Sequence, residues 1–74
     1  MILGVYVKNK PKSKWHLVSV TDSPESANID LDQARKQSTL EGYDNAEAAI
    51  RSFDSAFYIP VFLVEVKESK PLYN

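Results

Sequence analysis

The chain has 74 residues, 43% of them apolar and 26% charged, which is typical of a folded globular domain and unlike a disordered segment. Its net charge is −1, and it has no cysteine and one histidine, which excludes disulfides, thiolate zinc sites and histidine metal clusters. We therefore expect one domain over residues 1–74 with no metal or cofactor. A domain this small gains stability from a partner chain, identical or different.

The first twenty residues predict a β-hairpin. Residues 2–8 alternate in part and carry β-branched and aromatic side chains on both faces, which favours a strand in the middle of a sheet. Residues 15–20 form the second strand, and the lysine-rich segment 8–14, which contains Pro11, forms the hairpin loop. Gly4 indicates close packing or a bulge in the first strand.

Helix-start patterns follow the hairpin. Ser23 suits an N-cap and Pro24 suits the first helical position. A second start pattern, an aspartate followed three residues later by a glutamine, begins at Asp30. Two alternatives remain open: one helix from about Pro24 to Leu40, or a short turn followed by a helix from Leu31. In either case Gly42 is suited to end the helix.

The second half predicts a further helix and a third strand. An aspartate and a glutamate three residues apart form a capping box that opens a short helix over residues 46–53. Pro60 then suits a strand start, residues 61–67 form the third strand, and residues 67–74 form a polar tail. The predicted fold class is α+β, a small β-β-α-(α)-β domain.

The expected sheet has three strands in the order 2-1-3, with the helices packed on one face. The third strand is then an apolar edge, which is a liability unless another chain or the tail covers it. The arrangement resembles many small α+β proteins of bacterial and phage genomes. That likeness concerns topology alone and implies no function.

The charge is distributed unevenly along the chain. Residues 1–20 carry four lysines and no acidic residue, whereas residues 21–74 carry five basic and ten acidic residues. A basic tip on a mildly acidic body can steer a charged partner toward the tip. For the hairpin loop, the alternative is a solvated turn whose lysines resist aggregation.

Known catalytic patterns do not occur in the sequence. His16 is the only histidine, no Gly-x-Ser-x-Gly elbow is present, and the two glycines form no phosphate-binding loop. No run approaches the ~18 apolar residues of a membrane helix, and the start of the chain has no basic region or cleavage site typical of a signal peptide. We therefore expect a cytoplasmic protein that is not an enzyme and does not enter a membrane.

The predicted function is a protein–protein interaction module of the accessory, adaptor or inhibitor type, whose partner is another protein or a second copy of the chain. It would dock through the apolar edge strand, with the basic hairpin tip raising the association rate. The candidate partner-binding residues are Lys8, Lys10, Lys12, Lys14, Trp15, Tyr43, Phe62, Val64, Leu72 and Tyr73.

Three of these assignments have alternatives. The lysines of the hairpin could contact nucleic-acid phosphates while Trp15 stacks on a base, although an isoelectric point of about 5.7 weighs against this. Trp15 could instead be a core residue covered by the lysine stems. Leu72 and Tyr73 could fold back over the open edge of the sheet rather than meet a partner.

Overall fold

The computed structural model describes residues 2–54 and 58–65, and these form one α-helix and a four-stranded antiparallel sheet. The elements in chain order are β1 (Ile2–Lys8), β2 (Trp15–Thr21), α1 (Pro24–Leu40), β3 (Glu47–Phe53) and β4 (Phe62–Leu63). The strand order is β3-β1-β2-β4, so β1 and β2 are inner strands while β3 and β4 are edges. The α+β class is confirmed.

The predicted hairpin is present, and β1 is an inner strand, as its apolar faces indicated. The pairing partner changes from Ser19 opposite Val5 to Leu17 opposite Tyr6, so β2 carries an extra residue at this β-bulge. Gly4 lies in close packing: a Cβ atom there would come within 3.0 Å of Cε1 of Tyr6.

The helix is continuous from Pro24 to Leu40, so the first of the two alternatives is confirmed. Ser23 is the N-cap, and its hydroxyl oxygen accepts a hydrogen bond from the Ser26 N–H at 3.3 Å. Gly42 follows the C-cap with φ +94°, a left-handed conformation that ends helices and favours glycine.

The short helix predicted over residues 46–53 is wrong, because Glu47–Phe53 form β3. This strand pairs with β1 over its whole length, from Lys8 opposite Glu47 to Ile2 opposite Phe53. Ala48, Ala49 and Ile50 are buried in succession, on both faces of the sheet, which a surface helix could not achieve. Tertiary pairing thus overrides the local helix propensity.

The prediction of three strands in the order 2-1-3 is also wrong in detail. The strand expected over residues 61–67 is observed only as Phe62–Leu63, and it pairs with β2 instead of β1. The place beside β1 belongs to β3. Residues 66 and 67 and the polar tail lie outside the described residues.

The sheet carries an apolar cluster on each face. On the face toward α1, Leu3, Val5 and Ile50 pack with Ala27 of the helix. On the opposite face, here called the back face, the buried members are Tyr6, Trp15 and Ala49, with Leu17, Phe53 and Leu63 packed against them. Two clusters explain why β1 is apolar on both sides.

The segment 58–65 contributes to covering the back face. The Tyr6 hydroxyl donates a hydrogen bond of 2.6 Å to the Pro60 carbonyl, and Leu63 joins the back-face cluster. Tyr6 is completely buried, and its burial raises the pKa of the phenol, with a lowering influence from Arg51 and a raising one from Tyr58. One helix and one extended segment therefore protect the two faces.

Candidate partner-binding surface

A hydrogen-bonded turn holds the tip of the lysine hairpin. The Ser13 N–H donates to the Lys10 carbonyl at 3.0 Å, and the Ser13 hydroxyl donates to the same oxygen at 2.9 Å. Pro11 occupies the second position of this four-residue turn, where its fixed φ is favourable. The hydroxyl of the buried Ser38 donates to Asn9 Oδ1 at 2.8 Å, which ties the loop to the last turn of α1.

The four lysines of the hairpin are not equivalent. Lys8 Nζ lies 3.2 Å from Glu47 Oε2 and 5.1 Å from the centroid of the Trp15 ring, so its charge is already paired. Within residues 2–54 and 58–65, no carboxylate forms an ion pair with Lys10, Lys12 or Lys14. Lys8 therefore serves the contact between β1 and β3, and the other three present their charge to solvent.

The structure places Trp15 in the back-face cluster, where it is 8% exposed and has Lys8 Nζ above its ring. This is the arrangement of the core alternative. Because base stacking needs an open ring face, Trp15 could meet a base only after the cluster rearranged.

β4 is an edge strand, and no further strand pairs with its outer side among the described residues. We call this the β4 edge: it consists of the backbone of Phe62–Leu63 and the exposed side chains of Val61, Phe62 and Val64. Phe62 is 63% exposed and Val64 is 82% exposed. The Leu17 N–H donates to the Val61 carbonyl at 2.8 Å. Since antiparallel pairs alternate, the N–H and C=O of Phe62 point away from β2 and toward the open edge.

The end of α1 positions Tyr43 beside the hairpin. The Gly42 N–H donates to the Thr39 carbonyl and the Tyr43 N–H donates to the Ser38 carbonyl, at 3.0 and 2.9 Å. These two bonds form a Schellman motif, which depends on the left-handed Gly42. The partly buried Tyr43 is therefore held where the chain turns back from α1.

Hairpin, helix end and β4 edge meet at one open concavity of about 460 Å³. We call it the hairpin groove, and it is lined by Asn9, Lys10, Ser13, Lys14, His16, Tyr43 and Phe62. It combines two amines, an imidazole and two aromatic rings, and none of the described residues that line it carries a carboxylate. Phe62 reaches it because it pairs with His16 across β2 and β4, and residues paired in this way share one face of the sheet.

The hairpin groove brings together four candidates that the sequence had indicated separately: Lys10, Lys14, Tyr43 and Phe62. It also contains Asn9, Ser13 and His16, which sequence reasoning did not include. The pairing of His16 with Phe62 depends on a long-range contact between β2 and β4, for which the sequence has no local pattern.

The remaining candidates lie elsewhere. A second concavity of about 560 Å³ is lined by Lys8, Trp15 and Val64. Glu47, the ion-pair partner of Lys8, lines it as well. Lys12 is exposed at the tip of the hairpin and lines neither concavity. Leu72 and Tyr73 lie outside the described residues, so their two alternatives stay open.

A third concavity, of about 410 Å³, lies between α1 and β2 and contains His16 with Asp30 and Glu41. Asp30 Oδ2 accepts a hydrogen bond from the Ser19 hydroxyl, and Glu41 Oε1 accepts one from the Gln37 side-chain amide. Within the described part of the chain, His16 makes no hydrogen bond to either carboxylate. The pairing that would orient this imidazole as an acid or base is therefore not formed there.

The described residues hold no group of three or more histidine, cysteine, aspartate or glutamate side chains placed to bind one metal ion. No helix in residues 2–54 and 58–65 is long and apolar enough to cross a membrane.

Comparison of the chain with models of protein families, with curated proteins and with solved structures returned no match.

Proposed function

We propose that the chain is a non-enzymatic, cytoplasmic protein–protein interaction module, of the accessory, adaptor or inhibitor type, that binds a partner by strand addition at the β4 edge. The observation that carries the proposal is Phe62. Its backbone N–H and C=O point outward, and its ring is exposed at the same position. An extended segment can use both, with main-chain bonds giving affinity and side-chain contacts giving specificity.

The two edges of the sheet differ in a way that supports this assignment. The β3 edge carries Glu47 and Arg51, and charged side chains are a usual protection against unwanted strand pairing. The described part of the β4 edge carries exposed Val61, Phe62 and Val64 instead. Within the described residues the β4 edge is thus apolar where the opposite edge is charged, and this difference supports pairing at β4.

The hairpin lysines contribute to association. Lys10, Lys12 and Lys14 are unpaired within the described residues and lie at the same end of the sheet as the β4 edge. Unpaired surface charges raise the rate at which an oppositely charged partner arrives, and this effect decreases with salt. The partner is a different protein or a second copy of the chain.

Selection from a displayed library of random peptides tests the proposal. Wild-type protein, Phe62→Ala and the control Leu40→Ala serve as separate targets; Leu40 is an apolar residue of α1 that is 81% exposed. Both truncations remove solvent-exposed side chains, so both leave the buried clusters intact. We expect peptides that bind wild type and Leu40→Ala alike and bind Phe62→Ala about tenfold more weakly, as lost burial of a phenylalanine ring implies.

Sedimentation of the same three proteins covers the second-copy case. A dimer that dissociates in Phe62→Ala but not in Leu40→Ala would place a second copy at the β4 edge. Peptide binding and self-association that are both unaffected by Phe62→Ala, or both missing, would contradict the proposal.

Nucleic-acid binding by the hairpin is the second candidate, because three lysines at the tip are unpaired within the described residues. Titration with a single-stranded oligonucleotide at several salt concentrations separates it from the first. Three phosphate contacts predict a slope of about −2 for the logarithm of affinity against the logarithm of salt concentration. The interaction-module proposal predicts no measurable binding at physiological salt.

A further inference from the structure

We infer that the segment which adds to the β4 edge is an acidic peptide: a carboxylate side chain enters the hairpin groove near Lys10 and Lys14, while an apolar side chain two residues away covers Phe62 and Tyr43. The inference rests on the proposed function and names the chemistry of the partner.

The charge of the hairpin groove requires such a complement. Lys10 and Lys14 line the groove together with His16, no carboxylate lines it, and neither lysine has an ion pair within the described residues. A partner that covers the groove removes water from these amines, and that is costly unless an anion replaces the water. A neutral or basic segment would leave this desolvation free energy uncompensated.

The second concavity provides an internal comparison. Its lining holds two cations, Lys8 and Arg35, and two carboxylates, Glu47 and Glu65, so the charges of the lining balance. Lys8 Nζ and Glu47 Oε2 lie 3.2 Å apart. The hairpin groove, in contrast, has a lining of net positive charge on the side of the sheet where Phe62 is exposed, and the expected carboxylate belongs to the same face.

The register predicts how the peptide is patterned. Phe62 lies opposite His16, and both line the hairpin groove, so the side chains of an added strand that lie next to Phe62 point toward that groove. In a strand, every second side chain points to the same face, about 7 Å apart. One such side chain covers the rings of Phe62 and Tyr43, and the next reaches the amines. The expected motif is apolar-x-acidic, in either direction.

The composition of the selected peptides is the first test. We expect the Phe62-dependent peptides from the displayed library to be enriched in aspartate or glutamate two positions from an apolar residue. One such peptide and its counterpart with glutamine or asparagine in place of the acids are then titrated by fluorescence anisotropy. Two exposed charge pairs predict a loss of about tenfold in affinity for the neutral counterpart at low salt.

Protein variants supply the second test. The double variant Lys10→Gln/Lys14→Gln should bind the acidic peptide about tenfold more weakly and the neutral counterpart unchanged. Lys12→Gln is the matched control, because Lys12 belongs to the same exposed turn but does not line the hairpin groove. It should change affinity by less than about twofold. Thermal melting checks that all variants fold, which their exposure leads us to expect.

The possible outcomes separate the two claims. If no peptide depends on Phe62, the proposed function fails and the inference fails with it. If Phe62-dependent peptides are neutral or basic, or if the acidic peptide and its neutral counterpart bind equally, the inference alone is overturned. It is also overturned if a single-stranded oligonucleotide binds more tightly than the acidic peptide, or if a dimer insensitive to the lysine variants occupies the edge.

Discussion

Replacing Tyr6 by phenylalanine tests how the back face of the sheet supports the β4 edge. The Tyr6 ring is completely buried, and its hydroxyl donates a 2.6 Å hydrogen bond to the Pro60 carbonyl, 54 residues away in the chain. Tyr6→Phe keeps the ring and removes only this bond. The segment that leads from Pro60 to Phe62 then loses one of the contacts that hold it against the sheet.

The stability that Tyr6→Phe loses can be worked out from the hydrogen bond that it removes. A hydrogen bond of this kind contributes about 1 kcal/mol, and the variant leaves the Pro60 carbonyl without this donor. We therefore expect Tyr6→Phe to lower the free energy of unfolding by about 1–2 kcal/mol. In a 74-residue domain, each kcal/mol corresponds to a change in Tm of about 4–8 °C.

Wild type and Tyr6→Phe should also differ in how their free energy of unfolding changes at alkaline pH. Burial raises the pKa of Tyr6 above its ordinary value of 10.0, so the folded state keeps the phenol proton at a pH where the unfolded chain loses it. The stability that depends on Tyr6 is complete below about pH 10 and is lost as the pH rises from there through the folded-state pKa. Tyr6→Phe should lack this loss.

Thermal melting followed by circular dichroism, at neutral pH and above pH 10, measures both effects. Tyr58→Phe is the matched control, because Tyr58 is 76% exposed and its hydroxyl makes no hydrogen bond within the described residues. At neutral pH it should change the free energy of unfolding by less than about 0.5 kcal/mol. If Tyr6→Phe melts like wild type at neutral pH and loses the same stability above pH 10, the role assigned to the Tyr6–Pro60 bond is wrong.

Three further substitutions test individual contacts by the same melting assay. Gly4→Ala should destabilise by about 1–3 kcal/mol, because the new Cβ would lie 3.0 Å from the Tyr6 ring; an unchanged Tm would show that the back face is loosely packed. Gly42→Ala should cost about 1 kcal/mol through backbone strain alone, since φ is +94° and, among the described residues, none beyond its chain neighbours has an atom within 4 Å of the new Cβ. Gly42→Asn should cost less. Ser38→Ala should cost about 1 kcal/mol and increase hydrogen exchange in the hairpin loop, as Asn9 loses its donor; unaltered exchange would contradict the proposed tie between loop and helix.

The parts of the fold that the sequence predicts correctly are those whose cause is local. Ser23 and Gly42 mark the ends of α1 through their own side-chain and backbone chemistry. The apolar composition of Ile2–Lys8 indicates that both faces of this strand are buried. The β3 segment has no such local cause. Its alanines favour a helix in isolation, and only their position in the sheet beside β1 makes a strand the better state.

One pattern could have indicated β3. Glu47 lies directly opposite Lys8, and the two side chains form an ion pair across β1 and β3. Opposite charges directly across two strands stabilise the pairing. The capping box is a contiguous pattern and favours a helix, whereas this charge pair joins residues that are far apart in the chain.

The candidate surface shows the same division. Exposed aromatic and lysine residues could be selected from composition, and Lys10, Lys14, Tyr43 and Phe62 do line one groove. Pairings between strands that are distant in the chain decide three other features: Lys8 is neutralised, Trp15 is buried and His16 lies opposite Phe62. Residue types therefore predict which groups are available, and the register decides which of them act together.

The shortness of β4 links binding to stability. The strand has two residues, so few main-chain bonds hold it to β2, and the Tyr6–Pro60 bond supplies part of the remainder. An added strand would bond to the outward N–H and C=O of Phe62 and bury its ring, which favours the paired conformation of β4 over an open one. A ligand that binds only the folded state stabilises it by about 2.7 kcal/mol at one hundred times its dissociation constant. A partner of the proposed kind should therefore raise the Tm of the domain, recover part of the stability lost in Tyr6→Phe and slow hydrogen exchange in β4. A ligand held by the hairpin lysines alone would leave hydrogen exchange in β4 unchanged.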